Sequence, residues 1–284
     1  MKVLVLGCNG MAGHMIAIYM KEKGHMVHGF ARKDLKFISC ITGDAQNSTF
    51  LKETIINGNY DIVINCIGIL NNFAEQNKAT AVYLNSYLPH LLADITEDTK
   101  TKIIHISTDC VFSGDKGGYT ENDFPDGKTF YDRSKALGEL NDEKNLTIRT
   151  SIVGPDINEN GIGLLNWFLK QKDSVSGYKK AIWTGQTTLQ LAKTIENACS
   201  QNIYGLYNMV PSASISKYDL LQLFNQYIKK QKIEIIPNDS YSIDKSLIRT
   251  NFNFKYEIPD YLTMVKELAQ WMNKHKSLYP HYKL

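Results

Sequence analysis

The opening stretch of the chain joins a short apolar run to a glycine-rich turn and a helical pattern. The run KVLVLG at residues 2–7 shows no polar alternation, which is typical of a parallel strand buried on both faces. GCNGMAG follows at once and spaces Gly7, Gly10 and Gly13 evenly. Apolar residues then recur at helical spacing until Gly24, a residue type that commonly ends helices. This order of elements predicts a dinucleotide-binding turn at the start of an α/β fold.

Apolar runs and helical patterns continue to alternate until residue 151. Such alternation predicts a parallel sheet with right-handed crossovers in a doubly wound, Rossmann-like α/β fold. Ligands of these folds bind at the carboxyl ends of the strands. The further predicted strands span 26–32, 61–68, 102–108 and 146–151, and the predicted helices between them span 48–57, 78–96 and 130–141.

Beyond residue 151 the pattern becomes less regular and begins with a turn-rich segment, VGPDINENG. We therefore predict an NADP-binding Rossmann domain over 1–152, with a returning segment near 203–225. Residues 153–284 then form mainly a smaller, mixed substrate-binding lobe. The patterns predict helices at 164–170, 187–199 and 262–272, a strand at 205–210, and a further helix after the capping box SKYD at 216–219.

Composition excludes several classes of protein. Apolar residues make up 43% of the 284 residues and charged residues 21%, as expected for an ordinary folded domain. The net charge of +3 comes without a long Lys/Arg block, which argues against a nucleic-acid partner. A strand pattern from Lys2 leaves no room for a signal peptide, and no apolar run approaches the ~20 residues that span a bilayer. We expect a cytoplasmic protein without a membrane partner.

The five cysteines are odd in number and do not follow the spacing of metal ligands. They are expected to be free thiols in a reducing compartment, and no metal site is predicted. They are Cys8, Cys40, Cys66, Cys110 and Cys199.

The glycine turn and the strand ends after it define a predicted cofactor site. Glycines allow the backbone to approach a pyrophosphate, and the following helix offers free N–H groups. Arg32 and Lys33 follow the second predicted strand, where cations suit a 2′-phosphate and favour NADPH over NADH; the alternative is a solvated strand end. Asp44 is a candidate adenine contact or a turn former. The predicted cofactor contacts are Gly7, Asn9, Gly10, Met11, Gly13, Arg32, Lys33, Asp44, Cys66, Gly68, Tyr131 and Lys135.

A candidate catalytic set comes from two further segments. In TFYDRSKALGE, Tyr131 and Lys135 are four residues apart and share one helix face. ISTDC ends the fourth predicted strand, which places Thr108 at the ligand edge. A free tyrosine, with a pKa near ~10, exchanges protons poorly at neutral pH, and a neighbouring ammonium lowers that pKa. The pattern predicts that Tyr131 protonates a carbonyl oxygen during reduction, with Lys135 tuning it and Thr108 holding the substrate.

These segments together resemble the extended short-chain dehydrogenases/reductases, and more closely their dTDP-4-dehydrorhamnose reductase branch. The resemblance rests on VLGCNGMAG, on the long stretch from ISTDCVFSG to YDRSKALGE, on IRTSIVGP and on GLYNMV. It implies Thr108, Tyr131 and Lys135 as the catalytic set and NADPH as hydride donor. It also implies a 4-keto-6-deoxy nucleotide sugar as substrate, in cell-surface polysaccharide synthesis. The stretch NCIGILNNFAEQ departs from the branch, which leaves the identity of the sugar open.

Other functions on the same scaffold stay open. Asp109 is followed by Cys110 rather than by the glutamate typical of 4,6-dehydratases. A cysteine at this place occurs in epimerase-reductases that resemble this chain, but no histidine lies between residues 106 and 274 to partner it. A non-catalytic, cofactor-binding regulatory subunit is the second alternative. Candidate substrate contacts are Thr108, Asp109, Cys110, Trp183 and Arg249. Trp183 is either a base-stacking ring or a core residue, Arg249 either a diphosphate ligand or a surface residue, and Cys110 either a catalytic acid or a small packed residue. A homodimer is a candidate assembly.

Overall fold

The fold was analysed in a computed structural model that describes residues 1–229 and 232–282. Its strands alternate with helices through most of the chain. The strands are β1 Lys2–Leu6, β2 Met26–Ala31, β3 Ser39–Thr42, β4 Ile62–Asn65, β5 Lys102–Ser107, β6 Leu146–Arg149, β7 Ser151–Val153, β8 Ser174–Trp183, β9 Gly185–Thr187, β10 Gly205–Asn208, β11 Ile215–Ser216 and β12 Glu234–Asp244. The helices are α1 Met11–Glu22, α2 Ser48–Gly58, α3 Asn71–Gln76, α4 Lys78–Ala81, α5 Leu88–Thr96, α6 Phe130–Ala136, α7 Leu164–Lys170, α8 Thr188–Cys199, α9 Lys217–Tyr227 and α10 Tyr261–Lys274.

Within the described residues, seven strands form a parallel sheet in the order β10-β6-β5-β4-β1-β2-β3. The chain runs outward from β1 to β3 and then returns to β4 on the other side of β1. The carboxyl ends of β1 and β4 therefore border the crevice where such sheets bind ligands. This confirms the predicted doubly wound, Rossmann-like fold.

Helices cover both faces of this sheet. Val3 and Val5 of β1 belong to one apolar cluster together with residues of α1, α8 and α10. Leu4 and Leu6 belong to a second cluster with residues of α2 and α5. Successive side chains of a strand point to opposite faces, so the unbroken apolar run of β1 is what a doubly covered sheet requires.

Two helical patterns are interrupted by tertiary packing. The predicted helix at 78–96 consists of α4, a π-helical segment at Val82–Tyr87 and α5. The predicted helix at 130–141 ends at Ala136, and a Cβ at Gly138 would lie 1.9 Å from the Asn85 carbonyl oxygen. The α6 helix begins with a capping box between Thr129 and Asp132.

A smaller mixed lobe follows the sheet. In it β8 pairs in parallel with β12 and antiparallel with β11, while β7 and β9 form a separate parallel pair. The strands β8 and β12 were not predicted, because many of their residues are exposed and polar rather than part of an apolar run. The strand β3 was also not predicted, because it has only 4 residues. The segment at 205–208 lies beside β6 in the main sheet.

The structure also bears on a membrane span. Among residues 1–229 and 232–282, every helix is too short or too polar to cross a bilayer.

Candidate active site

The glycine turn after β1 has a conformation that other residues would disturb. Gly7 has a φ of +76°, in the left-handed region that favours glycine. A Cβ at Gly13 would lie only 2.2 Å from the carbonyl oxygen of Gly7. The α1 helix then begins at Met11, and its N-cap residue Gly10 provides no side-chain cap. Its first N–H groups remain available to an anion, so the turn fits a bound pyrophosphate.

A cavity of about 350 Å³ lies at the carboxyl ends of β1, β4 and β5. It brings together the glycine turn and all three residues of the predicted catalytic set. Gly7, Asn9 and Gly13 are not part of its wall and lie in the turn beneath it. The predicted site residues that line the cavity are Gly10, Met11, Cys66, Gly68, Thr108, Asp109, Cys110, Tyr131 and Lys135.

Tyr131 is buried in the wall of this cavity, with 6% of its surface exposed. Burial raises its pKa, the nearby Cys110 adds to this effect, and a hydrogen bond with the Thr108 side chain opposes it. The Thr108 hydroxyl accepts from the Cys110 backbone N–H at 3.1 Å and donates to Asp109 at 3.1 Å. The tyrosine is therefore a neutral phenol that can donate its proton, and the expectation that Lys135 lowers its pKa is corrected, because burial outweighs any such effect.

Lys135 lies one helical turn after Tyr131, with 4% of its surface exposed. Its Nζ donates to the backbone carbonyl of Ile106 at 2.8 Å and lies 3.3 Å from Nε2 of His105. Burial lowers its pKa to about 8, against the opposing influence of Glu139 and then Cys66. The lysine side chain is held by strand β5, which places it beside the tyrosine.

Two further buried polar residues support this arrangement. Asn85 uses its amide to bind both backbone groups of Ile69 at 2.9 Å and donates to Ser134 of α6 at 3.0 Å. It thereby ties the segment after β4 to the helix that carries Tyr131. His105 is fully buried between Asn65 and Lys135.

The C-terminal lobe contributes two lysines that the sequence analysis missed. Burial lowers the pKa of Lys217, the first residue of α9, to about 8, while Asp109 and Cys110 oppose this shift. Lys245 also acts on the charge of Asp109 and lies 3.9 Å from the Asp132 carboxylate. Both ammonium groups therefore face the loop after Thr108. No fixed spacing relates them to the catalytic motifs, so sequence offered no signal for them.

Lys217 also borders a second cavity of about 460 Å³ inside the lobe. Its wall contains the aromatic side chains of Trp167, Tyr178 and Tyr241, which are 42%, 38% and 48% exposed. The rings of Tyr178 and Tyr241 lie 5.4 Å apart. We call this cavity the aromatic cleft. Its side chains come from α7, β8 and β12, elements far apart in sequence.

Two expected substrate contacts are corrected by their surroundings. Trp183 is only 4% exposed, and its ring packs against Tyr261 at 5.7 Å and under the Lys217 ammonium at 4.6 Å. It is a core residue with no open face for a base.

Arg249 is likewise occupied within its own loop. Its guanidinium donates to the backbone carbonyls of Asn251 at 2.9 Å, of Tyr256 at 2.5 Å, and of Phe254. Because all three of its nitrogens have partners, the expectation that it grips a diphosphate is also corrected.

The expected adenosine contacts lie at the outer edge of the sheet. Arg32 and Lys33 are exposed directly after β2. Asp44 is exposed after β3 and accepts from the Gln46 backbone N–H at 2.9 Å, which is the contact of a turn-forming aspartate. The exposed cations fit a phosphate group there, while Asp44 has a local structural role that does not exclude a ligand.

Within the described parts of the chain, no three His, Cys, Asp or Glu side chains are placed to share a metal ion.

Comparisons with known proteins agree with this geometry. A probable low-salt glycan biosynthesis reductase of Haloferax volcanii is 26% identical over 262 residues, which cover 87% of this chain and 84% of that protein. A dTDP-4-dehydrorhamnose reductase of Aggregatibacter actinomycetemcomitans is 22% identical over 249 residues, or 83% of this chain and 82% of that protein.

The fold is likewise found among solved structures. A crystal structure of dTDP-4-dehydrorhamnose reductase from Bacillus anthracis in complex with NADP gives a TM-score of 0.80 at 21% identity. The match covers 94% of this chain and 98% of that chain. The model of the family described as RmlD substrate binding domain matches residues 1–253. The chain therefore belongs to the RmlD substrate binding domain family.

Proposed function

We propose that the protein is an NADPH-dependent reductase of the 4-keto group of a nucleotide-linked 4-keto-6-deoxy sugar. It would resemble the dTDP-4-dehydrorhamnose reductases among its relatives and serve cell-surface polysaccharide synthesis. The observation that carries the proposal is the single cavity that Thr108, Tyr131 and Lys135 share with the glycine turn. The family and the named functions of its relatives support the same reaction.

The residues of the cavity account for the proton that the reaction requires. NADPH supplies the hydride when bound. Tyr131 donates its phenolic proton to the carbonyl oxygen as the hydride reaches the carbon, so that the ketone becomes an alcohol. Thr108 hydrogen-bonds the same oxygen and orients it. Lys135 then restores the proton of Tyr131.

The cofactor is proposed to lie across the crevice between β1 and β4. The glycine turn and the first N–H groups of α1 would hold its pyrophosphate. Arg32 and Lys33 would hold the 2′-phosphate that distinguishes NADPH from NADH. Cys66 and Gly68 line the inner part of the cavity and would border the nicotinamide end.

The nucleotide part of the substrate is proposed to extend into the C-terminal lobe. Lys217 and Lys245 are the cations that would face a diphosphate next to Asp109. Beyond them, the aromatic cleft offers rings on which a nucleobase can stack. In this proposal, Lys217, Lys245 and the aromatic cleft take the roles that were first predicted for Arg249 and Trp183.

The deciding assay measures NADPH oxidation with a panel of 4-keto nucleotide sugars that vary in nucleotide and hexose. We expect turnover of at least one dTDP-linked 4-keto-6-deoxy sugar, with the product configuration read by NMR. A protein that binds NADPH but oxidises it with no member of the panel would support the regulatory-subunit alternative.

The epimerase-reductase alternative depends on Cys110, which lines the cavity. Burial and the charge of Asp109 raise the pKa of its thiol to about 12, so the thiol could only return a proton to carbon, and no histidine lies between residues 106 and 274 to remove one. We therefore expect turnover in D₂O with a pure 4-keto sugar to leave C3 and C5 free of deuterium. Enzyme-dependent deuterium at either carbon, lost in Cys110→Ser, would move the protein to the epimerase-reductase class.

We also propose that the protein is a cytoplasmic homodimer. Val82, Tyr87 and Leu137 are 48%, 50% and 69% exposed and lie on two segments that pack together, the π-helical segment and the end of α6. Apolar side chains grouped in this way favour a subunit contact. Leu137→Glu is expected to shift the mass measured by light scattering from dimer to monomer, and a wild-type protein of monomer mass would contradict the proposal.

A further inference from the structure

A row of hydrogen bonds runs from the backbone just after strand β4 to the predicted catalytic lysine, Lys135. Asn65 and His105 are register partners on the adjacent strands β4 and β5, and both are fully buried. The Ile67 N–H meets Asn65 Oδ1 at 3.1 Å, and Asn65 Nδ2 meets His105 Nδ1 at 3.2 Å. His105 Nε2 then lies 3.3 Å from Lys135 Nζ. Three hydrogen bonds in sequence therefore connect a backbone amide to the lysine.

The direction of these hydrogen bonds follows from their first member. A backbone N–H can only donate, so Asn65 must turn its oxygen toward Ile67 and its NH₂ group toward His105. The NH₂ group also can only donate, so Nδ1 of the imidazole accepts. Burial holds the pKa of His105 well below its usual range, and the ring is neutral. Its one proton is therefore on Nε2, which faces Lys135.

The last link distinguishes the two charge states of the lysine. An uncharged amine has a lone pair that accepts from Nε2–H, whereas an ammonium presents only donors. We propose that Asn65 and His105 are positioning residues whose hydrogen-bond direction favours the uncharged amine of Lys135. Reversing the direction of these hydrogen bonds does not stabilise the ammonium, because an Asn65 amide rotated by 180° would place its NH₂ group against the Ile67 N–H. One donor then faces another somewhere in the row whenever Lys135 is charged.

The other groups that face Lys135 do not reverse this preference. Glu139 follows the end of α6, and its carboxylate accepts from Arg149 at 2.9 and 2.5 Å and from Ser107 at 2.6 Å. Burial raises the pKa of the Cys66 thiol to about 12, so it carries no charge at neutral pH. Tyr131, the remaining neighbour along the helix, is a neutral phenol.

The consequence for turnover rests on the reductase activity proposed above. In each cycle the O–H bond of Tyr131 breaks as the product O–H bond forms. An N–H bond of the Lys135 ammonium then breaks as the tyrosine O–H bond forms again, and the amine takes a proton from solvent. Because the row of hydrogen bonds stabilises the uncharged amine, it favours the transfer of a proton from the Lys135 ammonium to Tyr131. The reaction should slow as pH rises through the lysine pKa, because the ammonium that restores Tyr131 is then lost.

The first experiment needs no substrate and measures the unaltered protein, with a variant used only to assign signals. Nitrogen-15 NMR of the unaltered, histidine-labelled protein at pH 9 separates protonated from unprotonated ring nitrogens. The His105 signals are assigned by their absence in His105→Gln or, if that variant does not fold, through labelled β5 neighbours. We expect the proton on Nε2. A proton on Nδ1 at pH 9 would overturn the proposal whatever reaction the protein catalyses.

The second experiment measures the lysine directly. Lys135 is followed by carbon-13 NMR of lysines labelled at Cε in the cofactor-free protein, and its signal is assigned with Lys135→Met. In Asn65→Leu nothing forces Nδ1 of His105 to accept, so Nδ1 can carry the proton and Nε2 can accept from the ammonium; the pKa of Lys135 should then rise by about one unit, the equivalent of one hydrogen bond. The exposed His90, which contacts the Leu137 carbonyl at 2.8 Å, provides the control His90→Gln, which should leave it unchanged. An unchanged or lowered pKa of Lys135 in Asn65→Leu would contradict the proposal.

A third experiment measures enzyme activity and separates the inference about Lys135 from the proposed reductase function. The pH at which kcat declines on the alkaline side should move upward by the same amount in Asn65→Leu, while KM for the sugar changes little. If no sugar is reduced but both NMR results hold, the proposed function fails and the row of hydrogen bonds stands.

Discussion

The two sides of the active-site region are built in different ways. On the sheet side, Tyr131 and Lys135 are 6% and 4% exposed and are held by hydrogen bonds from strand ends. On the lobe side, the side chains of the aromatic cleft are between 38% and 48% exposed. The sheet side thus resembles a preorganised catalytic centre, and the lobe side resembles an adaptable binding surface. The difference suggests that the chemistry is rigid while recognition of the nucleotide sugar can vary.

The sheet side depends on buried polar pairs for its rigidity, and the first prediction tests this. Arg149 and Glu139 form an ion pair with 2% and 7% of their side chains exposed. Arg149→Met leaves the carboxylate buried without its cation and should lower the free energy of unfolding by about 3–5 kcal/mol. Denaturant unfolding measures this loss. The exposed Arg133 serves as control, since Arg133→Met should change stability little. Equal effects of the two variants would argue against a special rigidity of the sheet side.

The second prediction concerns catalysis on the sheet side. Tyr131→Phe removes the proton donor while keeping the ring, and kcat should fall at least ~100-fold, about 2.7 kcal/mol. NADPH affinity, measured by fluorescence titration, should persist. Tyr204→Phe alters a half-exposed tyrosine outside the cavity and should have no effect. Near-normal turnover of Tyr131→Phe would remove the tyrosine from the mechanism.

The third prediction moves to the outer edge of the cofactor site. Replacing Arg32 and Lys33 together with alanine should reduce the preference for NADPH over NADH by roughly 10-fold, since exposed charge contacts contribute up to about 1 kcal/mol each. Dissociation constants for both cofactors measure the change. Lys36→Ala, another exposed cation of the same loop, should leave the preference intact. Tighter binding of NADH than of NADPH by the unaltered protein would refute the assignment.

The smallest effect is expected on the lobe side. Tyr241→Ala removes one ring of the aromatic cleft and should raise KM for the nucleotide sugar about 5-fold with kcat unchanged, as expected for a stacking contact of about 1 kcal/mol. Steady-state kinetics separates the two constants, with Tyr204→Ala as the matched control. A fall in kcat with unchanged KM would mean that the cleft takes part in the chemistry and that the two sides are not distinct.

Much of the sheet side was predictable because its signals are local. The glycine turn, the strand ends and the spacing of Tyr131 and Lys135 each lie within a few residues of chain. A buried parallel strand must be apolar throughout, and a pair four residues apart must share a helix face. The doubly wound fold and the convergence of the glycine turn with Thr108 follow from these rules. The boundaries of the two predicted domains remain a prediction.

The roles of several individual residues depend on their burial and contacts, which the sequence alone does not reveal. Trp183 and Arg249 have the right chemistry for a base and a diphosphate, but packing places one in the core and engages the other with backbone carbonyls. His105 is a buried residue of β5, and its contacts with Asn65 and Lys135 depend on the register of β4 against β5.

The sequence by itself determined the fold class and the glycine turn and predicted a catalytic set, because each rests on interactions between neighbours along the chain. Only the tertiary structure decided which lobe residues face the site. Lys217, Lys245 and the aromatic cleft come from α7, α9, β8 and β12, whose pairing depends on long-range packing. The direction of the hydrogen bonds that end at Lys135 was decided in the same way, since a buried donor or acceptor takes its partner from whichever strand lies beside it.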